Sequence, residues 1–151
     1  MKILYDNISA NIPYVLSEVH DLIKNSQVLL TAIDSQENVA DSLIIQRAIG
    51  DGVLIQKFNN YVSFPSSELY NLIDNYNLFN GFDEIWFFRN IVNVVNPPDV
   101  PLVTPYELKI SDLQNIEKWM ISSSCYFAIG DGCGLNYITT DEKIDQKLKK
   151  I

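Results

Sequence analysis

The sequence predicts an α+β fold, with a mainly antiparallel sheet and helices packed on one face. Three observations lead there. Helical and strand periodicities are interleaved along the chain, but irregularly, so a regular βαβ array is the lesser alternative. Two pairs of strand-like runs are separated only by turn residues, at Asn59-Asn60 and in the glycine-rich stretch 130–134. Finally, 151 residues at 47% hydrophobic content suffice for a single domain, residues 1–151, with a sizeable core.

The elements follow in chain order. Residues 12–24, IPYVLSEVHDLIK, place Ile12, Val15, Leu16, Val19, Leu22 and Ile23 at helical spacing, and Pro13 suits a first turn. QVLLTAI, 27–33, reads as a buried strand. Residues 34–52 read as a helix with Asp34 and Glu37 at capping-box spacing, with Val39, Leu43, Ile44 and Ala48 facing inward and Gly50 as the stop. VLIQKFNNYVSF, 53–64, is a hairpin turning at Asn59-Asn60. After Pro65, the spacing of Leu69, Leu72, Ile73 and Tyr76 predicts a helix. FDEIWFF is a strand packed on both faces.

The four prolines of 96–105, NPPDVPLVTP, make an extended segment that crosses between parts of one domain. Ser111 and Gln114 fit a capping box for a helix carrying Leu113, Ile116 and Met120. SCYFAI then pairs with LNYITT, with Asp131-Gly132 as the central dipeptide of a type I′ turn. Cys125, Phe127 and Ile129 fall on one face, and Tyr126 and Ala128 on the other. Thr139 and Glu142 cap a short last helix, with Ile144, Leu148 and Ile151 on one side.

Charge narrows the function. The net charge is −8, and residues 143–151 carry +3 (four lysines against Asp145), leaving −11 on residues 1–142. Such a field repels nucleic acid and anionic lipid and speeds the arrival of a basic protein. No apolar run is long enough for a membrane span, and the N-terminus meets Asp6 too early for a signal-peptide core, so the expected compartment is the cytoplasm. Cys125 and Cys133 are then expected to be reduced thiols.

Catalytic signatures are weak. GDGCG is followed by a strand-like run, not a helix, and lacks GK[ST], so it is no phosphate loop. Cys133 as a nucleophile would need His20, the single histidine. Asp83 and Glu84 are neighbours on a strand and point to opposite faces. Zinc, calcium and GxSxG patterns are missing, and no cofactor or metal is expected. The aromatics read as core packing, with an interface role for Trp86 as the alternative. Asp34, Glu37 and Asp41 lie at i, i+3, i+7 and form an acidic stripe.

FPSSELYNLIDNYNLFNGFDEIWFF and CYFAIGDGCGLNYITTDE, within residues 64–142, together resemble the SUKH superfamily. That family consists of small α/β proteins that mostly serve as immunity proteins against bacterial polymorphic toxins. The resemblance implies a non-catalytic cytoplasmic protein, a monomer or weak homodimer, that neutralises a basic, nuclease-type toxin. The residues expected to meet the toxin are Asp34, Glu37 and Asp41, with Asp131 at the hairpin tip. A small enzyme using Cys133 or a carboxylate, and a subunit of a larger assembly, are the alternatives.

Overall fold

The structure, a computed structural model, describes residues 3–33, 38–79, 81–89, 102, 108–132 and 134–151. Its strands are β1 (Leu4–Ile8), β2 (Gln27–Ala32), β3 (Gln56–Lys57), β4 (Val62–Pro65), β5 (Glu84–Phe88), β6 (Cys125–Gly132) and β7 (Gly134–Thr139). They form one sheet in the order β1-β7-β6-β5-β2-β4-β3, and every neighbouring pair is antiparallel. The helices are α1 (Ile12–Glu18), α2 (His20–Ile23), α3 (Leu43–Gly50), α4 (Leu69–Tyr76), α5 (Ile110–Ser123) and α6 (Glu142–Leu148). The predicted α+β class holds.

The period of two along the strands explains the layers. Ile85, Phe87, Val28 and Leu30 point into a large cluster with apolar residues of α1–α4 and α6, which share one face. Trp86, Phe88 and Leu29 point the other way, where Ile116 and Met120 of α5 cover them. The helices thus gather on one face, with α5 alone on the reverse. Trp119 of α5 meets the Trp86 ring edge-on at 4.9 Å. Central β5 is buried on both faces, so its four residues after Glu84 read as an unbroken apolar and aromatic run.

Several local expectations are corrected. The 34–52 helix is interrupted. Val39–Asp41 form a 3-10 turn, Ser42 is extended with ψ 144°, and its hydroxyl accepts the Ile45 N–H to start α3. Leu43 consequently faces solvent, 82% exposed. Asp34 and Glu37 lie outside the described residues, so their capping box does too. The α5 capping box lies two residues before the predicted one: the Lys109 N–H donates to Asp112 Oδ2 at 3.3 Å. Asp141, not Thr139, caps α6, accepting the Lys143 N–H at 2.9 Å. Thr139 instead donates to the Tyr126 carbonyl, in the ladder of β6 and β7. Ile151 is exposed rather than packed.

Strand β1 was not foreseen, because LYDNI has no clean alternation, and it exists through its pairing with β7. In β6 a register shift opposite Phe87 and Phe88 puts Tyr126 and Phe127 in the same cluster, and sends Cys125 to the other face with Ala128. A bulge inverts the alternation on one side of itself, so the predicted grouping of Cys125 with Phe127 fails.

Candidate functional site

The glycine-rich stretch is scaffold, but not in the way its composition suggests. Asp131 pairs with Leu135, and Gly132 with Gly134, so the Asp131-Gly132 dipeptide lies within the ladder and is not the turn. The Asp131 N–H donates to the Asp83 carbonyl at 2.9 Å, extending the β5 side of the sheet. Gly134 sits at φ +116°, where a side chain would be strained. Gly130 has a different task. A Cβ there would stand 2.6 Å from the carbonyl carbon of Leu102 and 2.9 Å from its oxygen. The missing side chain lets the Leu102 backbone lie flat on the sheet.

Two buried side chains hold that backbone in place. Glu84 Oε2 accepts the Leu102 N–H, while Oε1 accepts from Thr31 Oγ1 at 2.6 Å and from Trp86 Nε1 at 3.1 Å. Asn136 Nδ2 donates to the Leu102 carbonyl at 3.1 Å, and its Oδ1 accepts from Asn7 Nδ2 at 2.8 Å. Leu102 itself is fully buried, on the α5 face. Both backbone groups of Leu102 are therefore satisfied without a strand partner. Leu102 is the described residue of the proline-rich stretch, and it packs on the sheet. Glu84 is fully occupied in this clamp. Asp83 is also buried, and its Oδ2 accepts the Gly81 N–H at 3.0 Å.

Of the thiols, Cys133 lies outside the described residues. Cys125 is buried, and burial pushes its thiol up from an ordinary 9.0 to about 12. Such a thiol is a core group and a poor nucleophile at neutral pH. Tyr137 is raised in the same direction, by burial and by its 2.7 Å hydrogen bond to Asp145. Both raised groups stay protonated in the fold after the unfolded chain would have released its protons. The Cys125 contribution is therefore intact below about pH 9 and is lost as pH rises toward 12, by about 1.4 kcal/mol per pH unit, and Tyr137 adds a loss of the same sign beginning above about pH 10. Urea unfolding at about pH 7 and about pH 11 checks this. The alkaline loss is expected to shrink in Cys125→Ala, and an unchanged loss would mean the thiol is not in a dry site.

Of the predicted partner-binding residues, Asp41 and Asp131 are among the described ones. Asp41 is exposed at the end of the 3-10 turn, where its Oδ2 accepts from Asn38 Nδ2 at 2.7 Å. Asp34 and Glu37 lie outside the described residues. Asp131 is half-buried within β6, and partial desolvation raises its carboxyl above the ordinary range. What the sequence reading missed is a wider acidic layer. Glu18, Asp21, Asp41, Asp51 and Asp74 are exposed along α1, α2, the 3-10 turn, α3 and α4, against Lys24 and Arg47 among the described residues of those elements. The signal was available for Glu18 and Asp74, which take outward positions of amphipathic helices. Trp86, at 0% exposed, is core and takes no part in a surface.

A groove of about 240 Å³ opens between α2 and the start of α4, lined by His20, Ile23, Lys24, Asn25, Ser67 and Tyr70 among others. The Tyr70 hydroxyl donates to the Leu16 carbonyl at 3.1 Å and meets His20 Nδ1 at 2.9 Å. A phenol has one hydrogen, so Nδ1 is the donor in that second contact and the neutral ring leaves Nε2 as an acceptor. His20 lies on the exposed side of α2. No described helix is long and apolar enough to cross a membrane, and no group of His, Cys, Asp and Glu among the described residues could hold a metal ion. The chain matches no protein-family model, and it matches no curated protein and no solved structure.

Proposed function

We propose that this chain is a non-catalytic cytoplasmic binding protein that neutralises a basic protein toxin, of the nuclease type, by covering its cationic surface. The observation that carries this reading is the charge distribution: −11 on residues 1–142, with exposed carboxylates spread over the α1–α4 layer. A field of that sign accelerates encounter with a Lys- and Arg-rich surface and disfavours nucleic acid. The SUKH-like order of motifs in residues 64–142 supports the same reading by resemblance. Asp131 adds a local argument. Its carboxylate is partly desolvated, and a partner's Lys or Arg would relieve that cost.

The test is co-expression with any toxin-like domain found encoded next to this chain's own reading frame. Restored growth and a stoichiometric complex are expected. Asp41→Lys with Asp131→Lys is expected to slow association about tenfold at low salt and to flatten its salt dependence. Asp131→Asn alone is expected to raise the stability of the isolated chain at neutral pH by less than about 1 kcal/mol, and to weaken the complex. Persistent toxicity alongside folded protein, or association indifferent to the reversals, rejects the proposal.

A further inference from the structure

The groove between α2 and α4 stands apart from the acidic layer around it. Among the described residues its lining holds Lys24, His20, Asn25, Ser66 and Ser67 and no carboxylate, in a chain with 19 Asp and Glu. The nearest influence of that sign is Asp21: burial, together with its charge, raises the Tyr70 phenol. Its floor is apolar: Ile23 and Leu69 are buried, and the Tyr70 ring forms a wall. Tyr70 is fixed there at both ends of its hydroxyl, by Leu16 and by His20, and the two rings meet edge-on at 5.0 Å. The wall is thus set before any ligand arrives. The Lys24 ammonium is only loosely engaged, 3.9 Å from Asp21 with both side chains largely exposed, an arrangement worth little in water. It is able to turn to a better partner.

We infer that this groove binds a small organic carboxylate with an apolar body, the carboxylate paired with Lys24 and the apolar part on Ile23, Leu69 and Tyr70. A donor-rich rim over an apolar floor is the usual chemistry of a small-molecule site, and 240 Å³ is small for one. A ligand of about ten non-hydrogen atoms fits that scale, with affinity of order 1 mM. The net charge of −8 opposes an anion at long range, but salt screens charges more than about 8 Å apart, while a contact ion pair persists. This inference is independent of the toxin-binding reading.

The probe is phenylacetate, with phenylacetamide and phenethylamine as its neutral and cationic counterparts, followed by amide chemical shifts in the full chain. Phenylacetate is expected to shift the amides of Asn25, Ser67 and Tyr70 in a saturable way. Phenylacetamide is expected to bind about tenfold more weakly, because it lacks the charge. Lys24→Met, an exposed change that leaves the fold intact, is expected to bring phenylacetate down to the level of the amide. Lys24→Arg is expected to keep most of the binding. Equal binding of acid and amide, tighter binding of phenethylamine, or no saturable shift at these residues overturns the inference.

Discussion

Gly130→Ala is expected to lower the free energy of unfolding by about 3 kcal/mol. The added methyl would stand 2.6 Å from the Leu102 carbonyl carbon, and that neighbour is backbone, which cannot swing aside. The Leu102 segment must lift. Lifting exposes a side chain whose burial contributes about 1.5–3 kcal/mol, and it strips Glu84 and Asn136 of the groups they hold. Urea unfolding followed by tryptophan fluorescence reports this directly, since Trp86 bonds to Glu84 and touches Trp119. A lower midpoint with an unchanged slope is the expected result. An unaltered midpoint would mean that Leu102 does not lie over Gly130.

Glu84→Ala is expected to destabilise by a similar amount, about 3 kcal/mol. The buried carboxylate accepts from Thr31, Trp86 and Leu102, and its removal leaves the Leu102 N–H without an acceptor in an apolar site, at about 1–3 kcal/mol, together with a cavity beside Trp86. Trp86 Nε1 retains Thr31 Oγ1 at 3.0 Å, which limits the damage. Glu84→Gln, which keeps the volume and one acceptor, is expected to cost about half as much. Both Glu84→Ala and Gly130→Ala act by releasing one segment. The double variant is therefore expected to fall short of the summed effects by at least about 1 kcal/mol. Strict additivity would show that the two residues support different parts of the fold.

Much of the secondary structure was legible because it rests on periodicity. Leu69, Leu72 and Tyr76 are all buried on α4, as a spacing of three and four residues requires. The run EIWFF reads as a doubly covered strand, and it is the centre of the sheet. Asn59-Asn60 sits where the β3–β4 hairpin turns, with the Phe58 N–H bonded to the Tyr61 carbonyl at 2.9 Å. Start signals were less dependable. Ser42, Lys109 and Asp141 open helices that the nearby capping patterns placed elsewhere. A Ser, Thr or Asp competes with its neighbours for the same few N–H groups, and the surrounding packing decides which of them wins.

The candidate surfaces were less legible still. Asp41 was picked as one member of a helical stripe, yet its exposure comes from a 3-10 turn ended by extended Ser42. The groove was invisible, because His20 and Lys24 meet Ser67 and Tyr70 only after α2 and α4 pack together.

The sequence alone determined the α+β class, the acidic character and the alternation that gives β5 two buried faces, since these depend on composition and on neighbours along the chain. Tertiary structure decided the rest. It set the use of Gly130 as a berth for Leu102, the inversion at the β6 bulge, the placing of α5 on the reverse face and the formation of the groove. Each of these depends on contacts between residues far apart in the chain, where local preferences are worth less than the burial and hydrogen bonds that distant partners supply.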